Sequence, residues 1–353
     1  MWAFAVGQFG WALLSGIISN WLVYFYQPDQ ETISQGQTVF VPQGLVVLGI
    51  VTVVGGITAF ARFFDAFVDP AVASLSDRCD AKSGRRMPFL KFAALPLAVV
   101  TVLVFWSPIN GTSWVNAAFL FVTVIGYYIA LTFYCTPYNA LIAELGHDSK
   151  QQLTISTAIS FTWVAGTAIA YVAPVIWGAF VPMMGRITAI RVTFTIMAAV
   201  AFVCMLVPPL AIREKDYVNS HPTSESTIES LKQTFGDGEF RKFVCSDVVY
   251  WVAITTFQTG LPFFVTSLLK LPETTTTIYF VLMTGVSVLF YLPVNILANK
   301  VGKKRLLLVA FVIFTCAFAF AGALGSAALG FIPAMAQGCL LYTSDAADER
   351  SSV

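Results

Sequence analysis

Apolar runs of about 20 residues recur along this chain, and they constrain its fold more than any other feature. Hydrophobic residues make up 57% of the 353 residues and charged residues only 11%, whereas a soluble domain carries roughly 25% charged residues. A run of this length can span a bilayer as a helix, because a helix satisfies its own backbone polar groups. The composition therefore predicts an all-α integral membrane protein.

Nine complete runs and part of a tenth can be placed along the sequence. We expect the second run to extend over Gly44–Leu75 and the fifth over Leu153–Val181. A long polar segment rich in Ser, Thr and charged residues follows the sixth run, and we interpret it as a linker. The expected division is an N-terminal six-helix half at 1–212, a cytoplasmic central linker at 213–242, a partial C-terminal half at 243–341 and a non-native tail at 342–353.

The placement of charge predicts orientation and excludes several functions. Lys and Arg concentrate in the loops after the second, fourth, sixth and eighth runs. By the positive-inside rule these loops and the N-terminus are cytoplasmic, in a multi-pass protein of the cell membrane. The net charge of +1 gives no argument for nucleic acid. The six cysteines and two histidines form no metal, disulfide or catalytic pattern, so we expect neither a metal centre nor an enzyme.

Ionisable residues inside the second run indicate a functional site. Arg62, Asp65 and Asp69 are spaced i, i+3 and i+7, so they share one face of a helix. Each such group costs at least about 2.5–3.5 kcal/mol in hydrocarbon, and it persists where it faces a cavity and finds a partner. Two carboxylates and one arginine leave a net negative site, which suits Na⁺, Li⁺ or a shared proton. The alternative is an ion pair that only packs helices, but it leaves one carboxylate without a partner.

Three motifs of the first half carry a family resemblance. The stretch from Arg62 to Asp69-Pro70, then Ser76-Asp77-Arg78 and Gly84-Arg85-Arg86, resembles the glycoside–pentoside–hexuronide:cation symporters of the major facilitator superfamily. The resemblance implies a fold of two pseudo-symmetric six-helix halves, here with the second half incomplete. It also implies symport of a sugar or glycoside with Na⁺ or H⁺, with Li⁺ a further possibility, by alternating access and without a cofactor.

The resemblance also assigns residues to the cation site. Asp65 and Asp69 match the family's two cation carboxylates, Thr132 matches a hydroxyl at the same site, and Arg62 matches an arginine that pairs with the acids when the cation is absent. These are hard oxygen ligands, which suit Na⁺ or Li⁺. A polar neighbour that the family places in this site is Val68 here. The groups that hold galactosides in the family are also replaced, at Trp11, Ala12, Cys135, Asn139 and Ala158.

Other residues are candidates for the sugar cavity or for a contact between helices at the cytoplasmic face. Aromatic rings stack on sugar faces and amides bond sugar hydroxyls, although each such residue taken alone is more often a helix-packing residue than a ligand. The cavity candidates are Gln8, Trp11, Tyr128, Tyr138, Asn139, Trp163, Tyr250 and Gln258. We interpret Asp77, Arg78, Arg85 and Arg86 as a cytoplasmic latch, with plain topology-setting charge as the alternative.

Two other functions stay open at this stage. One is an uncoupled sugar facilitator, and another is a membrane receptor or sensor on a transporter fold. A long regulatory domain would favour the receptor, and none is visible in the sequence. A membrane enzyme would need a catalytic constellation, which is not apparent. The expected partners are a small sugar or glycoside and the lipid bilayer, and we expect a monomer. The family has twelve helices, so we interpret the chain as a truncated fragment.

Overall fold

The chain folds mainly into long helices. The computed structural model describes residues 2–34, 36–47, 51–79, 81, 84–145, 149–212, 214, 236–269, 271–272, 274–301 and 303–324. In chain order the elements are α1 (Trp2–Tyr26), α2 (Gln30–Ser34), β1 (Leu45–Val47), β2 (Val51–Thr52), α3 (Val53–Asp77), α4 (Met87–Val104), α5 (Trp114–Leu145), α6 (Ser149–Tyr171), α7 (Ala173–Met184), α8 (Arg186–Ala211), α9 (Gly238–Phe263), a π-helical turn (Phe264–Leu268), α10 (Thr274–Val301) and α11 (Lys303–Leu324).

Six helical segments within these described ranges are long and apolar enough to cross a membrane. They cover Trp2–Tyr26, Met87–Val104, Trp114–Ile142, Thr157–Met184, Arg186–Ala211 and Phe240–Thr266. Helix α3 has the same length as α1, 25 residues, but it carries Arg62 and three aspartates. The helical architecture predicted from the apolar runs is confirmed.

Glycines let α1 pack very closely between α6 and α8. A Cβ atom at Gly10 would lie 2.6 Å from the backbone oxygen of Ala201 on α8. On the other side, a Cβ atom at Gly166 of α6 would lie 2.7 Å from the backbone oxygen of Phe9. Close approach through small residues is how helices associate where lipid removes the hydrophobic driving force. Helix α1 therefore occupies the centre of the first group of helices, α1–α8.

The expected second run begins later than predicted. Residues after Gly44 form a short antiparallel pair, in which Leu45 lies opposite Thr52, and the helix begins only at Val53. The Thr52 hydroxyl accepts a hydrogen bond from the Gly55 amide at 3.1 Å, so Thr52 caps the helix. The expectation of one helix over Gly44–Leu75 was wrong because β-branched residues suit a strand as well as an apolar helix.

The expected fifth run is two helices with a break at Val172. Pro174 stands in the first turn of α7. A proline has no N–H, so it cannot bond the carbonyl four residues earlier, which is that of Ala170. The indole Nε1 of Trp21 on α1 donates to this carbonyl at 2.8 Å. The break is thus compensated by a buried side chain from a neighbouring helix.

The ends of the helices define two faces of the molecule. We call one the Arg86 face, where α3 ends and α4 begins, and the other the Asp29 face, where α1 and α6 end. The predicted linker overlaps α9, which begins at Gly238. Most of 213–235, the predicted tenth run and the tail 342–353 lie outside the described residues.

Candidate functional site

Two aspartates on α3 face two threonines on α5. The Oγ1 atom of Thr132 donates to Oδ1 of Asp65 at 2.5 Å, and Oγ1 of Thr136 donates to Oδ1 of Asp69 at 2.9 Å. The aspartates are four residues apart, and so are the threonines, so the two helices present their oxygens in matching register. We call these two contacts the Asp–Thr pairs.

Burial differs between the two pairs. Thr132 is buried and Asp65 half-buried, whereas Thr136 is half-buried and Asp69 exposed. Among the hydrogen bonds that the structure describes, each carboxylate uses only Oδ1. The second carboxylate oxygens and the hydroxyl lone pairs are thus the hard oxygen donors that alkali cations prefer. This donor set fits a small cation or a proton.

Arg62 lies next to the Asp–Thr pairs but bonds elsewhere. Its guanidinium carbon lies 5.2 Å from the ring centroid of Tyr128, a cation–π distance. Among the described residues, an ion pair below 4.0 Å joins Arg86 and Asp77, whereas none is described between Arg62 and Asp65 or Asp69. A role for Arg62 as their charge partner stays a prediction.

Three of the predicted cavity residues come together where α1 and α6 meet. The indole Nε1 of Trp11 donates to Oε1 of Gln8 at 3.1 Å. The rings of Trp11 and Trp163 lie 4.8 Å apart at their centroids with a 58° tilt. Both tryptophans are half-buried. Two indole rings and a side-chain amide are groups that can contact a sugar ring and its hydroxyls.

The other predicted cavity residues are spread through the fold. Tyr138 is buried, stacks on Phe4 at 4.2 Å and donates to the Phe4 carbonyl at 2.6 Å. The remaining four differ in their surroundings: Tyr128 is buried under Arg62, Asn139 is exposed on α5, Tyr250 packs against Ile254 and α11, and Gln258 contacts Tyr171.

The predicted latch contains a side-chain contact and a second anchor that the sequence did not reveal. Nη2 of Arg86 lies 3.0 Å from Oδ1 of Asp77. The buried carboxylate of Glu214, just beyond α8, accepts hydrogen bonds from the backbone amides of Arg85, Arg86 and Met87 at 2.9, 2.9 and 3.1 Å. Arg78 is exposed at the end of α3.

Sequence reasoning missed Thr136 and Glu214. A signal for Thr136 was available, because it follows Thr132 by the same four residues that separate the two aspartates. Glu214 stands 129 positions from its Arg85 contact, so no local pattern could find it.

Comparison with known proteins identifies the family. The family described as MFS/sugar transport protein matches residues 3–344. The chain is 25% identical over 226 residues to the inner membrane symporter YicJ of Escherichia coli, covering 62% of this chain and 47% of YicJ. It is 24% identical over 168 residues to the isoprimeverose transporter of Lactiplantibacillus pentosus, covering 47% of this chain and 31% of that protein. The chain thus spans less than half the length of these relatives.

Solved structures share the fold at low identity. A nucleoside transporter, NupG, matches with a TM-score of 0.66 at 13% identity, over 97% of this chain and 79% of NupG. A D-xylose–proton symporter matches with a TM-score of 0.59 at 13% identity, over 97% of this chain and 80% of the symporter. These matches show the fold but do not identify the substrate.

Proposed function

Because this chain belongs to the MFS/sugar transport protein family, we propose that it carries a sugar or glycoside across a membrane in symport with a cation. The observation that carries the coupling is the matched register of the Asp–Thr pairs between α3 and α5. The family consists of transporters rather than enzymes. Relatives named as symporters support a coupling ion.

We propose that the cation binds among Asp65, Asp69, Thr132 and Thr136. Two carboxylates close together repel each other, so a positive charge that enters the site stabilises it. Na⁺ would take the four groups as oxygen ligands, with Li⁺ as a smaller substitute, and H⁺ would protonate one carboxylate. Each threonine hydroxyl would turn its proton away and offer a lone pair to a metal cation.

The sugar site that we propose is the cluster of Gln8, Trp11 and Trp163. The indole rings offer apolar faces for a pyranose, and the Gln8 amide nitrogen offers donors for a hydroxyl while its oxygen holds Trp11. No charged side chain belongs to this cluster, which favours a neutral sugar or glycoside. A relative named as an isoprimeverose transporter supports a sugar or glycoside as the solute.

Coupling follows from a linkage between the two sites. Alternating access exposes a midplane site first to one face and then to the other. Cation binding would stabilise the conformation with higher sugar affinity, by a coupling free energy of about 1–3 kcal/mol. We place the N-terminus and the Arg86 face in the cytoplasm, because most of the Lys and Arg residues between helices lie there.

Uptake by vesicles tests the proposal. We would measure entry of labelled neutral mono- and disaccharides, with and without a Na⁺ or pH gradient, for the native protein and for Asp65→Asn with Asp69→Asn. Gradient-driven accumulation should disappear in the double variant and persist in Asp237→Asn, a matched change at an exposed position outside the site. Concentrative uptake that survives the double variant would refute the cation site, and equilibration independent of any gradient would indicate a facilitator.

A further inference from the structure

Contacts between the early helices α1–α8 and the late helices α9–α11 gather at the Asp29 face. Tyr171, the last residue of α6, makes three of them. Its ring stacks on Phe280 of α10 with centroids 3.8 Å apart and planes within 6°. Its carbonyl accepts from Oγ1 of Thr277 at 2.8 Å, and its hydroxyl accepts from Nε2 of Gln258 on α9 at 3.4 Å.

The break between α6 and α7 explains why Tyr171 is able to contact both α9 and α10. The residue stands at the end of α6, directly before Val172 and the proline-containing first turn of α7. Its carbonyl has no continuous helix to bond beyond it, so Thr277 supplies the donor. Trp21, which satisfies the neighbouring carbonyl of Ala170, also lies edge-on to Phe280 at 6.5 Å. One irregular point in the early helices thus receives side chains from both α9 and α10.

A second contact joins the same two groups of helices. Oδ2 of Asp29 accepts from Oγ1 of Thr266 at 2.8 Å. Thr266 is buried and lies in the π-helical turn that follows α9. Oδ1 of the same carboxylate accepts from the backbone amide of Thr32 at 2.8 Å, so α2 holds the aspartate in position. A ring contact between Tyr24 and Phe263, 5.7 Å apart, lies beside it.

The side chains of α9 become more exposed toward its start, which lies at the Arg86 face. In its first half several side chains are exposed, for example Phe243 at 55% and Val249 at 69%, whereas Leu261 near its end and Val265 in the π-helical turn that follows are buried. The hydrogen bonds and ring contacts described between the early and late helices all lie at the Asp29 face. These described contacts therefore join the early and late helices at the Asp29 face.

Resting on the transport function proposed above, we propose that Tyr171 and Asp29 are gating residues, which close the path from the Asp29 face to the Gln8, Trp11 and Trp163 cluster and separate from the late helices when that path opens. Both contacts suit this role because they are made by side chains and by one terminal carbonyl, so they can break without unfolding a helix. A hydrogen bond to a carboxylate is stronger than a neutral one, which makes Asp29–Thr266 the firmer of the two closures.

Labelling of a cavity cysteine tests the gate without requiring a known sugar. The reporter is Trp163→Cys, two helical turns below Tyr171 on α6, labelled in vesicles by a membrane-impermeant maleimide applied at the Asp29 face. Mass spectrometry of the peptide separates this cysteine from the six native ones. In the reporter alone we expect slow labelling. Thr266→Val and Tyr171→Ala should each raise the labelling rate about tenfold or more, and together further.

Controls separate gating from misfolding. Thr195→Val removes a threonine hydroxyl that bonds only within α8 and should leave the rate unchanged. Tyr171→Phe keeps the stacking on Phe280 but loses the Gln258 contact, so a small increase is expected even if Tyr171→Ala fails to fold. Rapid labelling of the reporter alone, or rates unmoved by Thr266→Val combined with Tyr171→Phe, would overturn the gate. Either result leaves cation-coupled sugar uptake to be judged by its own assay.

Discussion

Replacing Glu214 by glutamine should loosen the turn at the Arg86 face by an amount that the structure allows us to calculate. Oε1 accepts from the Arg85 amide, and Oε2 accepts from the amides of Arg86 and Met87. Glutamine keeps one oxygen, which can serve the two amides at Oε2. Its NH₂ group then faces the Arg85 N–H, so a donor meets a donor.

Two losses add up in Glu214→Gln. One hydrogen bond to a charged group contributes about 1.5–3 kcal/mol. The interaction of a carboxylate with the positive end of α4 contributes about 0.3–1 kcal/mol more. We therefore expect a loss of about 2–4 kcal/mol in the free energy of opening this turn. Since about 1.4 kcal/mol corresponds to a factor of ten, amide protection there should fall about 30-fold or more.

Hydrogen–deuterium exchange measured by mass spectrometry on the detergent-solubilised protein reports this change directly. The peptide that contains Arg85, Arg86 and Met87 should exchange faster in Glu214→Gln, while peptides from α1 should not change. Asp237→Asn is the matched control, because it makes the same chemical change at an exposed position before α9. Unchanged protection of the turn in Glu214→Gln would show that the carboxylate does not hold it and would refute the argument.

Three further predictions concern the cation site and the packing of α1. Thr136→Val should raise the half-saturating concentration of the coupling cation about tenfold, through one lost hydroxyl worth about 1.4 kcal/mol, while Thr136→Ser preserves it in the same uptake assay. Gly166→Leu should lower the thermal midpoint in detergent, because even a Cβ would lie 2.7 Å from the Phe9 carbonyl, whereas a change at Gly178, which has open space, should not. Trp21→Phe should cost about 1–3 kcal/mol of stability by leaving a buried carbonyl unpaired, measurable as a lower unfolding midpoint.

The sequence was sufficient for features that depend on local pattern. Apolar length predicted the helices, and the spacing of Asp65 and Asp69 predicted a shared face, which α3 has. It was insufficient where the same composition is compatible with both a helix and a strand. The valine-rich stretch before Val53 is as apolar as a membrane helix, yet its backbone pairs as a strand. Contacts between distant segments, such as Glu214 with the turn at Arg85, leave no periodic signal at all.

The positions of the two sites restrict how cation binding can influence the gate. Both Asp–Thr pairs lie between α3 and α5, so the ligands that we propose for the cation all belong to the early helices. The proposed gating residue Tyr171 lies on α6. Helix α6 packs closely against α1 at Gly166. Any linkage must therefore pass through the packing of the early helices, and a difference in that packing between two conformations is what the cation has to stabilise. A cation with equal affinity for both conformations would shift neither the gate nor the sugar site.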